Sequence, residues 1–148
     1  MDERFSNCRI VLQLVLTEIQ RQFLFKEATD KKPNESCALL LGNKENDKLI
    51  VREIFLAENV EQSPVNFTIS NEQLIRGYKE AEEKGLGVIG IFHSHPSSEP
   101  YPSATDKKFM EINPVAWVIF SDITKSFKAY MFESKVIEIP IIMQNSFS

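Results

Sequence analysis

Apolar positions along the chain change spacing several times, and each change marks an element. Residues 10–12 read as a short first strand. From Leu14 onward Leu16, Ile19 and Phe23 recur at helical spacing, with Glu18, Arg21, Gln22 and Lys26 between them. The polar stretch at 30–34, which contains Pro33, ends that helix. Residues 35–42 form a compact apolar run closed by Gly42-Asn43, predicted as a central strand and turn. Residues 49–57 alternate loosely through Leu49, Val51, Ile54 and Leu56 as its antiparallel partner. A polar connection at 58–65 and a short extended piece at 66–69 lead to Ser70, which has the form of a capping box with Gln73 reaching back. The helix behind it carries Leu74, Ile75, Tyr78 and Ala81 on one side and stops at Lys84-Gly85. Residues 88–92 read as a buried strand, and Ser103 opens a third helical stretch. Strands are predicted at 115–120, 127–132 and 136–143, the last with Pro140 suggesting an edge. Strands outnumber helices and separate the two long ones, so one α+β (mixed α/β) domain is expected over residues 1–148.

The chemistry concentrates where the strand at 88–92 ends. His93 and His95, the only histidines, stand one residue apart. In an extended segment side chains i and i+2 lie on the same side, so the two imidazoles can converge on one point. Pro96 then turns the chain into a loop, and Asp106 falls in the first turn of the helix that Ser103 opens. Two neutral imidazoles and one carboxylate are the ligand set of a catalytic zinc that keeps its fourth position for water. Blander readings stand beside this one. Asp106 can be a first-turn acid favoured by the helix dipole, Ser103 a simple N-cap, and Glu35 a solvated acid before a strand. Cys37 reads as a small buried hydrophobe, since no further histidine exists to activate it.

Charge and composition narrow the partners. A formal net charge of −4 leaves no sequence-wide basic footprint, which argues against nucleic acid. Cys8 and Cys37 are too few for a disulfide framework and fit a reducing, cytoplasmic setting. The Met-Asp-Glu-Arg start is not that of a signal peptide. The apolar run at 10–16 is interrupted by Gln13 and followed by Glu18 and Arg21, so no membrane partner is expected.

His93-Ser94-His95-Pro96, six residues, Ser103, two residues and Asp106 fit the pattern H-x-H-P-x6-S-x-x-D, and the chain resembles the JAMM (MPN+) metalloproteases. Pro33-Asn34-Glu35-Ser36-Cys37-Ala38-Leu39-Leu40-Leu41-Gly42 is similar to that family's upstream glutamate segment, with Ala38 where glycine is usual. The similarity extends over nearly the whole chain. It implies a cytidine-deaminase-like MPN fold: a central, mostly antiparallel, curved sheet flanked by two long helices and the short Ser-Asp helix. It also implies one Zn2+ per chain on His93, His95 and Asp106. Glu35 would be the general acid/base, and Ser103 the hydroxyl that stabilises the oxyanion.

Members of that family hydrolyse amide bonds, chiefly isopeptide bonds between the Gly-Gly-ending tail of ubiquitin or a ubiquitin-like protein and a lysine; some prokaryotic relatives process sulfur-carrier proteins. The resemblance therefore implies ubiquitin or ubiquitin-like conjugates as partners, with the proteasome a further candidate. It also implies that the tail adds as a strand along 58–68, near Val65, Asn66 and Phe67. Ile91 stands where the proteasome-lid enzyme has Trp, and little chain follows Met143, so the chain is similar to compact, archaeal-type stand-alone members. Three alternatives remain open at this point. They are a peptidase acting on a sulfur-carrier tail or a small peptide, an enzyme autoinhibited by the loop at 97–102 or 58–66, and a non-catalytic MPN-minus scaffold, which typically lacks the His-x-His and Asp.

Overall fold

The computed structural model describes residues 12–145. Eight strands, β1 (Gln13–Thr17), β2 (Cys37–Glu45), β3 (Lys48–Ala57), β4 (Gly87–His95), β5 (Ala116–Ser121), β6 (Ser126–Phe132), β7 (Val136–Ile139) and β8 (Ile141–Gln144), form one sheet in the order β7-β6-β5-β4-β2-β3-β1-β8. Three helices, α1 (Glu18–Lys31), α2 (Asn71–Glu83) and α3 (Ala104–Ile112), pack on it. The pairings β2–β3, β2–β4, β5–β6 and β6–β7 are antiparallel, while β4–β5, β1–β3 and β1–β8 are parallel.

Only Pro140 separates β7 from β8, yet the two lie at opposite ends of the strand order. The sheet must therefore curl until its two edges meet. The expected single strand at 136–143 is thus two, and Pro140 marks the crossing between edges: its missing N–H breaks the ladder, while its carbonyl accepts from Leu14 N at 2.9 Å. One core cluster fills one face of the sheet. It draws Leu14, Leu40, Phe92, Phe120 and Ile139 from across the sheet, with Leu24 and Ala28 of α1 among them. The other, built on Leu39, Leu41, Ile91, Trp117 and Ile119, lies under Ala81 of α2 and Met110 of α3. β2 is buried on both faces, which is why Cys37–Leu41 reads as an unbroken apolar run.

The first elements differ from the pattern-based expectation. Leu14 and Leu16 belong to β1, and the helix starts only at Glu18. The expected strand at 10–12 falls largely outside the described residues. Thr17 and Gln20 form a full capping box there, with both hydrogen bonds made. Ile19 and Phe23, which suggested the apolar face, are exposed, and Leu24 and Ala28 are buried instead. At α2 Ser70 does cap Gln73 N, but Gln73 Oε1 accepts from Glu58 N at 2.9 Å rather than from its own N-cap. Gly85 takes the left-handed conformation (φ +68°) expected after that helix. Residues 66–69 are extended in sequence pattern but belong to no strand. No helix among the described residues is long and apolar enough to cross a membrane.

Candidate metal centre

The site lies at the end of β4, on the sheet face covered by α2 and α3. Both histidines are in the strand itself, on the same side, and both are buried. Ser103 is the N-cap of α3, and its Oγ accepts from Asp106 N at 3.0 Å. Asp106 Oδ2 in turn accepts from Ser103 N at 2.9 Å. This capping box aims the Asp106 carboxylate back at the strand. His93 Nε2 stands 3.0 Å from His95 Nε2 and 3.0 Å from Asp106 Oδ2, and His95 Nε2 is 3.3 Å from the same oxygen.

That triangle suits a small divalent cation. Ligand atoms about 2.0–2.1 Å from a tetrahedral zinc stand about 3.3 Å apart. Hydrogen bonds and burial set the tautomer and charge of each donor. His95 Nδ1 lies 2.8 Å from the carbonyl of Glu99, so that nitrogen carries the hydrogen and Nε2 keeps its lone pair. Burial holds the His93 imidazole below its ordinary pKa, favouring the neutral form. Burial also opposes charge on His95, but the Asp106 carboxylate and the Glu99 carbonyl outweigh it and raise its pKa. At Asp106 burial acts upward, yet the two imidazoles hold the carboxyl well below the usual range, so it is ionised. His93, His95 and Asp106 make up the His/Cys/Asp/Glu group among the described residues whose ligand atoms converge in this way.

Glu35 precedes β2. Cys37 pairs with His93 in the β2–β4 ladder, Ser94 N donates to Ser36 O at 3.1 Å, and Ser36 N donates to Ser94 Oγ at 2.8 Å. Continuing that register sets Glu35 opposite His95, on the same face as the two imidazoles. Glu35 is 4% exposed, and its Oε1 is buried with no hydrogen-bond partner among the described residues. Burial pushes its carboxyl up to about 8, against a partial opposing pull from His95.

The profile of a family described as prokaryotic homologs of the JAB domain matches residues 18–133. The chain belongs to the prokaryotic JAB family. Over 112 residues it is 38% identical to the desampylase of Pyrococcus furiosus, which spans 74% of this chain and 76% of that protein. It is 32% identical over 94 residues to a probable TtuB-protein conjugate cleaving protease of Thermus thermophilus (63% and 57%). To the CysO-cysteine peptidase of Mycobacterium tuberculosis it is 29% identical over 89 residues (60% and 60%). The solution structure of a Desulfitobacterium hafniense protein superposes with a TM-score of 0.81 at 28% identity, covering 90% of this chain and 94% of that one. A JAB1/MPN domain protein from Archaeoglobus fulgidus shares the fold (TM-score 0.56, 20% identity, 89% and 98% coverage).

Within this JAB domain several residues support the site that sequence reasoning did not single out. Ser94, hidden between the histidines, clasps Ser36 through both backbone and hydroxyl. Ser121 Oγ donates to Ser98 O at 2.7 Å and the Tyr130 hydroxyl donates to Pro100 O, so the Pro-rich loop is fastened to β5 and β6. Trp117 meets the His93 imidazole edge-on, and Phe67, which the sequence already placed beside the modifier tail, stacks on the same ring with centroids 4.6 Å apart. Its neighbours Val65 and Asn66 lie beside it along the same segment, and Val65 is 64% exposed. Cys37 is buried, and burial pushes its thiol up to about 12, which disfavours the thiolate a nucleophile needs.

Proposed function

We propose that this chain is a zinc-dependent isopeptidase that hydrolyses the amide bond between the C-terminal tail of a ubiquitin-like modifier and a lysine. The observation that carries this reading is the buried His93–His95–Asp106 triangle with an unpartnered carboxyl, Glu35, registered opposite His95. The similarity to proteins named desampylase and conjugate cleaving protease supports the modifier class.

His93, His95 and Asp106 would hold the ion through Nε2, Nε2 and Oδ2. Zinc bound there would polarise the scissile carbonyl and acidify water. Glu35 takes the proton from the attacking water and delivers it to the leaving amine, two transfers that suit a carboxyl with no fixed partner. With a divalent ion held there, Glu35 would be pulled back from its raised value toward the ionised, base-ready form. Ser103 Oγ accepts from Asp106 N, which leaves its own hydrogen free to donate to the developing oxyanion. The modifier tail would lie along residues 65–67, where Phe67 already touches His93.

A second reading is a peptidase that frees an amino acid from a sulfur-carrier tail. The similarity to CysO-cysteine peptidase favours it, as does a polar cavity lined by Lys31, Asn34, Glu35, Glu58 and Gln62, which could seat a charged leaving group. Incubation with isopeptide-linked di-ubiquitin, a ubiquitin-like lysine conjugate and a carrier tail ending in cysteine separates the two. Cleavage of a lysine conjugate that is lost in Glu35→Gln supports the isopeptidase; cleavage of the cysteine-capped tail alone supports the peptidase.

A further inference from the structure

Residues 59–68 form no helix or strand, yet one side chain organises them. Asn59 Oδ1 accepts from Glu61 N and from Thr68 N, both at 3.1 Å. Asn59 Nδ2 faces three carbonyls: Asn66 O at 2.9 Å, Glu35 O at 3.1 Å and Ser63 O at 3.4 Å. The amide can sit only one way round, because a flip would set its oxygen against three carbonyls and its NH2 against two N–H groups. Around it Val60 N donates to Thr68 O at 3.0 Å, Glu35 N donates to Ser63 O at 2.8 Å, and Ser63 Oγ accepts from Val65 N and Asn66 N.

This bonding is one-sided. The N–H and C=O of Asn66 and of Thr68 are all satisfied within the protein. Those of Phe67, between them, find no partner among the described residues. In an extended segment alternate residues direct their backbone polar groups to opposite sides. Asn59 therefore turns one edge of the segment inward and leaves Phe67 N–H and C=O on the other, directly beside the imidazole that its ring covers.

From this we infer that Asn59 is a positioning residue: it preforms residues 65–68 as a receptor strand for an extended Gly-Gly-ending tail and ties that strand to the backbone of Glu35. The inference rests on the isopeptidase reading for the identity of the tail. Preforming the strand removes ordering cost from binding, so its loss falls on KM more than on kcat. Asn59→Asp separates the two halves of the hub. It keeps the acceptor for Glu61 N and Thr68 N, loses the donors and sets a charge against three carbonyls.

The test combines amide hydrogen exchange with kinetics on wild type, Asn59→Ala and the near-isosteric Asn59→Asp. The probes are a non-cleavable peptide ending in Gly-Gly and a fluorogenic Gly-Gly-aminocoumarin peptide. In the wild type the peptide should slow exchange at Phe67 N–H. In Asn59→Asp, Thr68 N–H should remain protected while about tenfold more peptide is needed at Phe67, and KM should rise about tenfold with kcat changed much less. In Asn59→Ala, Glu61 and Thr68 should also exchange fast while the amides of β4 stay protected. Equal peptide protection at Phe67 in all three proteins, or an unchanged KM, would overturn the inference while leaving the isopeptidase reading intact. If wild type cuts no Gly-Gly conjugate, the isopeptidase reading fails, and the exchange of Phe67 with the non-cleavable peptide still decides the role of Asn59.

Discussion

Ser36 and Ser94 clasp each other across β2 and β4. Ser36 N donates to Ser94 Oγ at 2.8 Å, the two hydroxyls lie 2.9 Å apart, and Ser94 N donates to Ser36 O at 3.1 Å. Their neighbours on the opposite face are Glu35, His93 and His95, so this pair sets the register between the acid and the imidazoles. Replacing Ser94 by Ala leaves a buried backbone N–H at Ser36 without an acceptor and should cost about 1–3 kcal/mol. We expect a lower melting temperature, an unchanged zinc content and a kcat reduced by tenfold or more. Calorimetry and kinetics on the same sample check it; a kcat equal to wild type would show that the clasp does not set the acid's position.

Ser103 and Asp106 cap one another, but their losses should look different. Ser103→Ala removes an N-cap worth about 1 kcal/mol and the proposed oxyanion donor. Zinc should still bind, and kcat should fall about 10²-fold. Asp106→Asn keeps an oxygen to accept from Ser103 N yet loses the anionic ligand, so zinc and activity should vanish together with little change in helix content. Metal analysis beside circular dichroism separates these outcomes.

In metal-free protein Glu35 should make stability depend on pH in a definite direction. Burial raises its folded pKa to about 8 from 4.5. A carboxyl raised on folding contributes fully below its unfolded value, and that contribution is lost as pH climbs through the window from 4.5 to 8. Glu35→Gln removes the ionisation. The melting temperature of the chelated variant should therefore gain on chelated wild type as pH rises across that window. A gap that stays constant with pH would contradict the buried, unpartnered state of this acid.

Much of this site was legible in the sequence, for a local reason. The period-2 rule places His93 and His95 on one side of a strand, and Ser103 three residues before Asp106 makes a capping box; both relations span a few residues. The α2 helix was readable from Ser70 and Gly85 for the same reason. What stayed hidden depends on distant pairing. Leu14 and Leu16 looked helical because their spacing continues into Ile19 and Phe23, although Thr17-Glu18-Ile19-Gln20 carries the capping signal that fixes the boundary. The split of 136–143 into two strands follows from closure of the sheet, and Asn59 acts through partners up to 24 residues away. No periodicity records either.

Gly42 marks a close backbone approach in the middle of the sheet. It sits where the ladder between β2 and β3 slips register, and a Cβ there would lie 1.9 Å from the carbonyl oxygen of Ile50. Because the obstacle is backbone, neither strand can yield cheaply. Gly42→Ala should destabilise by about 3 kcal/mol or more, read from denaturant midpoints; a loss under 1 kcal/mol would mean the strands part there more easily than their pairing indicates.

In the proposed function one zinc, held by His93, His95 and Asp106, makes this chain an isopeptidase. The most direct test is to strip the protein with a chelator and return zinc in small steps while following cleavage of a ubiquitin-like lysine conjugate. Activity should be absent at the start, rise in proportion to zinc and level off at one equivalent, with Glu35→Gln inactive throughout. Cleavage that persists in the stripped protein, or that fails to appear at any zinc level, would contradict a zinc isopeptidase.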